Sequence, residues 1–205
     1  MSEREELVAI ARSLFDRGYT FGTAGNISVR AGDRFLMTPT NSSFFSLTAD
    51  ALSELDGSGA LLSGPPPSKE APIHLAAYRA QPEARAIVHL HSCYATAVSC
   101  LADVNFDDAL PIYTPYYAMR IPCLPVAGYY PPGDPQLAQA VETAARKSAA
   151  LLLRNHGSIA MGKTLREAAA LAEEIEEQAR LFFLLEDRGR RLGTEEIAEL
   201  RRRFR

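Results

Sequence analysis

Leu7, Ile10, Ala11 and Leu14 recur at the three- and four-residue spacing of an amphipathic helix, which predicts a helix over 3–17 ended by Gly18. A glycine-rich turn, Gly22-Thr23-Ala24-Gly25-Asn26, follows it. Two short strand-like runs come next, 27–30 and 35–38, joined by the turn signal Ala31-Gly32-Asp33. Residues 38–68 are rich in Thr, Ser, Gly and Pro and read mostly as loop, with a brief helix near 48–52 and a hairpin around 56–59.

The second half alternates more regularly. Ser68 is the expected N-cap of a helix over 69–80, where Pro72 is tolerated because it falls in the first turn. The run 85–91 reads as a buried strand, 93–101 as a helix and 121–126 as a strand. A helix over 135–147 starts with Asp134 as cap and Pro135 at its first position. The apolar run 149–153 is a buried strand, and the turn Asn155-His156-Gly157 leads to a partner strand over 158–161. A long helix over 165–187 closes the pattern, with Leu171, Ile175, Ala179 and Phe182 on one side and Glu173, Glu174, Glu176 and Glu177 on the wet side. The basic tail, Arg188, Arg190, Arg191 and then Arg201 to Arg203, reads as a solvated or subunit-contacting end.

No internal repeat or linker divides the chain, so residues 1–205 are expected to form one domain. The alternation of strands and helices predicts an α/β sandwich with helices on both sides of a central sheet. The length, 205 residues, suffices for a sizeable core, and 47% apolar with 23% charged residues is ordinary for a globular protein. A net charge of −3 gives no reason to expect nucleic acid or an anionic membrane as partner. No apolar run approaches the roughly 20 residues that span a bilayer. The charged start, Met1 to Glu6, lacks a signal peptide's apolar core, so the expected location is the cytoplasm. Cys93, Cys100 and Cys123 form no CxxC pair and are expected to be buried reduced thiols.

Chemistry concentrates in the histidines. His89 and His91 are two apart at the end of a predicted strand, so their side chains share a face with Cα atoms roughly 6–7 Å apart. Two imidazoles so placed can converge on one ion. His156, between a buried strand and a glycine, can project a third from a turn. Three neutral imidazoles leave positions open for water or substrate, which a catalytic metal requires. Glu70 opens the preceding helix, where a carboxylate can complete the coordination and move protons, or merely complement the helix dipole. His74, one turn later, reads as a hydrogen-bonded core residue. Gly25-Asn26, Thr40-Asn41 and Ser68-Lys69 each pair backbone freedom or a helix start with donors suited to phosphate.

Five segments in this order, GTAGNISVR (22–30), TPTNSS (38–43), PSKE (67–70), HLHSCYATA (89–97) and LLLRNHG (151–157), resemble the class II aldolase/adducin family. The resemblance runs from about residue 5 to 187. It implies a three-layer α/β/α sandwich with a mostly antiparallel or mixed sheet. It further implies one divalent ion per subunit, zinc by preference, on His89, His91 and His156. Glu70 becomes a metal-proximal acid/base residue. Gly25, Asn26, Thr40, Asn41, Ser68 and Lys69 become a phosphate cradle for a small phosphorylated sugar or sugar acid. A homotetramer with active sites at subunit contacts is likewise implied.

Within the family, SKE, TPYYAMRIP (114–122) and GYYPPGDP (128–135) resemble the 3-oxo-tetronate 4-phosphate decarboxylases. That branch forms an enediolate by loss of CO₂ and protonates it to dihydroxyacetone phosphate. A fuculose- or ribulose-phosphate type aldolase or epimerase is the alternative, and a non-catalytic adducin-like scaffold a further one. Asn41 stands where the family usually has glycine, and Ser92 where many aldolases have proline. Tyr116 and Tyr117 are the candidates for the proton-shuttling tyrosine.

Overall fold

A computed structural model describes residues 1–131 and 133–204; Pro132, within the 128–135 segment, and Arg205 lie outside the described residues. Eight strands form one sheet: β1 (Asn26–Ala31), β2 (Arg34–Met37), β3 (Ser53–Leu55), β4 (Leu61–Ser63), β5 (Ala86–Leu90), β6 (Val126–Ala127), β7 (Ala150–Leu153) and β8 (Gly157–Gly162). Their order is β4-β3-β2-β1-β5-β8-β7-β6. Every neighbouring pair is antiparallel except β6 with β7, so the sheet is mixed and mostly antiparallel.

The helices are α1 (Glu3–Asp16), α2 (Ala71–Ala80), α3 (Cys93–Cys100), α4 (Pro115–Arg120), α5 (Pro135–Ala145), α6 (Leu165–Leu185) and α7 (Thr194–Arg203). Two separate cores show how they are layered. One collects Leu7 and Leu14 of α1, Val98 of α3, Tyr117 of α4 and Ile175 of α6 against Ile27, Val88 and Leu152 of the sheet. The other packs Ile73 and Ala77 of α2 and Leu137 and Val141 of α5 against Met37, Ile87 and Ile159. Strand side chains alternate between the faces. Val88 and Leu90 therefore point toward α6, and Ile87 toward α2. The expected three-layer sandwich is what forms.

Several local expectations are corrected. Helix α2 begins at Ala71 with Glu70 at the cap and no side-chain cap bond. Ser68 instead closes a short turn, accepting from Glu70 N at 3.2 Å. The expected strand over 121–126 shrinks to Val126–Ala127. The residues before it form α4, which Thr114 caps by accepting from Tyr117 N. The expected hairpin around 56–59 does form within the 38–68 segment, with β3 and β4 flanking the turn. The basic tail carries α7, whose Arg201 donates to the carbonyls of Ala118, Ile121 and Pro122 on and after α4. Cys93 and Cys100 are exposed because α3 turns Ala95, Val98 and Ser99 inward, and Cys123, outside that helix, is half-buried.

Candidate metal centre

Strand β5 lies in the middle of the sheet, paired on both sides. His89 sits opposite Asn26 of β1 and Ile159 of β8. The two-residue period that sends Ile87 toward α2 sends His89 the same way, and His91 continues it just past the strand end. His156 arrives from the β7–β8 turn. Asn155 there adopts φ 55°, which asparagine tolerates better than most residues. Arg154 donates to the Ser99 carbonyl at 2.9 Å and His156 N to Ser99 Oγ at 3.3 Å, so the turn is fastened to the end of α3. Gly157 must lack a side chain: a Cβ there would lie 2.3 Å from the Leu90 carbonyl oxygen.

These elements bring Glu70, His89, His91 and His156 together, with one ligand atom from each lying within 4.8 Å of all the others. Glu70 spans the group, Oε1 3.0 Å from His156 Nε2 and Oε2 3.2 Å from His89 Nε2. The three rings stand edge-on to one another, with centroids 4.6–5.0 Å apart. His89 Nδ1 lies 2.8 Å from the Ser158 carbonyl, an acceptor only, so Nδ1 carries a proton and the ring, when neutral, offers its Nε2 lone pair inward. His89 Nε2 and His91 Nε2 are 2.9 Å apart and cannot both be protonated. Inward lone pairs, a carboxylate and a backbone carbonyl behind the buried histidine are the donor set of a divalent cation, and the residues fit one.

Electrostatics agree. Burial pulls the Glu70 carboxyl upward, but the charge on His89 and bonds with His156 and His89 outweigh it and hold Glu70 well below the carboxylate range. Burial opposes a charge on His89, yet the neighbouring carboxylate raises it above the usual imidazole value. His91 is pushed down to about 3 by burial and by His89 and His156, which favours a neutral ring.

The three segments expected to bind phosphate also converge. Thr40 N donates to the Pro66 carbonyl and Ser68 N to the Thr38 carbonyl, so the loops bearing Thr40-Asn41 and Ser68-Lys69 are zipped side by side. Asn41 takes φ 57°, the left-handed angle its place in the loop demands. Gly25 (φ 79°) passes so close to β5 that a Cβ would meet the His89 carbonyl oxygen at 2.8 Å. Asn26 then reaches Glu70, donating from Nδ2 to Oε2 at 2.6 Å. A cavity of about 200 Å³ beside the start of α2 is lined by Lys69, Glu70, Pro72 and Asp134 among others. A second depression of about 340 Å³ along β6 contains none of the cluster.

The tyrosines stay outside this assembly. Tyr117 is fully buried, its hydroxyl without a hydrogen-bond partner among the described residues; burial and then Asp108, Cys123 and Glu174 raise its pKa, and none of those groups belongs to the cluster. Tyr116 is exposed. His74 is a hydrogen-bonded core residue, as expected. Sequence reasoning missed Ser28, Tyr78, Arg154 and the Ser158 carbonyl, which bear on the centre only through pairings between distant segments.

Residues 5–183 match the Class II Aldolase and Adducin N-terminal domain. The chain is 46% identical over 205 residues to a 3-oxo-tetronate 4-phosphate decarboxylase of Haemophilus influenzae, covering 99% of this chain and 98% of that one. Among solved structures it is similar to YgbL from Escherichia coli (TM-score 0.94, 45% identity, 97% of each chain). It also resembles L-fuculose-1-phosphate aldolase from Thermus thermophilus (TM-score 0.79, 29% identity, 92% of this chain and 98% of that one).

Proposed function

The chain belongs to the class II aldolase and adducin family, and from that premise we propose that it decarboxylates 3-oxo-tetronate 4-phosphate to dihydroxyacetone phosphate and CO₂. The observation that carries the reading is the convergence of three imidazoles and Glu70 beside the zipped anion-binding loops, in a chain so similar to decarboxylases over nearly its whole length. The preferred ion is zinc, since three nitrogen ligands suit it and leave a position open. When bound, it supplies an electrophile for the negative charge that develops beside the substrate carbonyl.

The residues divide the remaining work. Gly25, Asn26, Thr40, Asn41, Ser68 and Lys69 hold the substrate phosphate, Lys69 adding a positive charge. Fixing that end orients the C1 carboxylate for departure. The C1–C2 bond breaks, CO₂ leaves, and its electron pair remains on C2, delocalised toward the C3 oxygen. A proton must then reach C2. Glu70, a carboxylate bridging His89 and His156, would pass on a proton taken up from solvent rather than one of its own, and Tyr116 is the better of the two tyrosine candidates because it is exposed. Since Tyr116 lies at the surface, it would serve a neighbouring copy's centre, in keeping with a homotetramer whose sites lie at subunit contacts.

An aldolase makes the same enediolate by breaking a bond to an aldehyde-derived carbon, so the centre alone does not choose between bonds. Likeness to the decarboxylases over the full chain favours loss of CO₂. A scaffold role does not call for the His–Glu cluster. Among the described residues no helix is long and apolar enough to cross a membrane. Metal-replete protein should release CO₂ and dihydroxyacetone phosphate in equal amounts from 3-oxo-tetronate 4-phosphate. Cleavage of fuculose or ribulose phosphates without CO₂ release from the sugar acid would assign it to the aldolases instead.

A further inference from the structure

The cluster rests on a line of buried polar groups that its chemistry does not require. Asn26 and Ser28 are two apart on β1 and therefore face α2 together. Opposite them, Glu70, His74 and Tyr78 are four apart, one above the other along the helix. Asn26, Ser28, His74 and Tyr78 are all at least 95% buried. Tyr78 OH lies 3.0 Å from Ser28 Oγ and Ser28 Oγ 2.7 Å from His74 Nδ1. His74 Nε2 lies 2.6 Å from Asn26 Oδ1, and Asn26 Nδ2 2.6 Å from Glu70 Oε2.

The directions of these bonds follow from one end. Glu70 is a carboxylate and only accepts, so Asn26 must present its NH₂ to it and its Oδ1 to His74. His74 therefore carries its proton on Nε2 and accepts at Nδ1 from Ser28, whose oxygen in turn accepts from Tyr78. With the other His74 tautomer, Asn26 would flip and set an oxygen against the carboxylate. Each member is thus satisfied in one arrangement only, and its sole terminus at the cluster is Glu70. An apolar contact between β1 and α2 would pack as well without choosing the orientation of anything.

We propose that Asn26 is a positioning residue for Glu70, that the Tyr78–Ser28–His74 relay fixes its amide orientation, and that its second amide N–H alone remains for the substrate. The proposal rests on the reading of the cluster as a metal centre, but not on which bond the enzyme breaks. Loss of such an outer support costs about 10–100-fold in ion affinity or activity.

The test uses the full chain and three readouts. In ¹⁵N-histidine spectra of the wild type, His74 should be the neutral Nε2–H tautomer; an Nδ1–H ring overturns the proposal. Zinc titration by chelator competition should show about tenfold or weaker binding for His74→Leu, with most of the loss recovered in His74→Gln, which keeps a donor toward Asn26. Equal affinity in His74→Leu and wild type, or equal losses in Leu and Gln, overturns it. If His74→Leu does not fold, Ser28→Ala and Tyr78→Phe are titrated in its place; ion affinity unchanged in both overturns the relay. For the proposed reaction, Asn26→Ala should lower kcat about tenfold or more with inhibition by inorganic phosphate changed less than kcat. A large rise in the phosphate inhibition constant with kcat unchanged would make Asn26 a phosphate ligand and nothing more. A protein inactive on the sugar acid fails the functional reading, whereas the spectra and the titration still decide the relay.

Discussion

Helices α2 and α6 lie on opposite faces of the same sheet and turn the same kind of stripe toward it. Along α6 the positions are Leu171, Ile175 and Ala179; along α2 they are Glu70, at its cap, His74 and Tyr78. Both sets are four residues apart, and all but Glu70 are buried. The α6 stripe packs into the apolar cluster, and such packing is non-directional: it sets how near the helix lies and little else. The α2 stripe meets Asn26 and Ser28 through hydrogen bonds with defined donors and acceptors, and it ends on a carboxylate shared by two histidines. One face holds the sheet in place; the other aims the groups that the sheet carries.

Substitutions should therefore separate along that line. The largest effect is expected at the centre itself. His89→Ala removes the buried ligand whose tautomer the Ser158 carbonyl fixes, and with it several kcal/mol of charge stabilisation. That corresponds to at least about a thousandfold loss of kcat/KM, measured on protein loaded with zinc, while circular dichroism stays native. A smaller loss would mean that the centre tolerates two imidazoles.

The apolar face should answer in the opposite way. Ile175→Ala deletes a fully buried side chain from the α6 stripe and should cost about 2–5 kcal/mol in denaturant unfolding. Measured per folded molecule, kcat should remain at the wild-type value. A drop in kcat without loss of stability would show that the two faces are coupled.

How far all this could be read from the sequence follows the same division. The α6 stripe, the alternation along β5 and the His-x-His pair are local periodicities, and each gave the right element. Helix α7 was invisible because it buries no residue, so no apolar stripe marks it. Helix α4 spans only six residues, too short for periodicity, and its signal lay in Thr114 and Pro115, a cap and a first-turn proline. His89, His91 and His156 were marked by spacing and position, whereas Glu70 was assigned to the cluster only through family resemblance. The Asn26–His74 pair was not, because the residues are 48 apart and meet only once β1 and α2 pack. A hydrogen-bond partner across that distance leaves no periodic trace. Cys93 and Cys100 were misjudged for a related reason: residue type predicts average burial, whereas the packed face of α3 decides it here.

Acid should weaken the centre before it weakens the fold's apolar face. The imidazole of His89 has a pKa raised by the Glu70 carboxylate against the opposing effect of burial. Below that value an incoming ion must displace a proton from Nε2, so apparent affinity should rise about tenfold per pH unit there and level off above it. His91, near 3, contributes no proton in the neutral range. Zinc competition titrations from pH 5.5 to 8.5 would show the slope; affinity independent of pH throughout would contradict the pairing of His89 with Glu70.

The smallest effect is expected on the outer side of α2. Arg79 pairs with Glu142 of α5 at 3.1 Å, but both are at the surface, where screening and side-chain entropy leave little net gain. Arg79→Ala should leave melting temperature and ion affinity at wild-type values, which confines the helix's polar role to its buried stripe. A loss of ion affinity in this variant would spread that role to the whole helix.

The central claim is that this buried stripe and β5 together hold one catalytic divalent ion, and metal analysis after dialysis against zinc tests it most directly. About one ion per chain is expected in the wild type and none in His89→Ala or in the double variant His91→Ala/His156→Ala, all three proteins being folded. Wild-type protein that takes up no divalent ion, or variants that retain it fully, would contradict it.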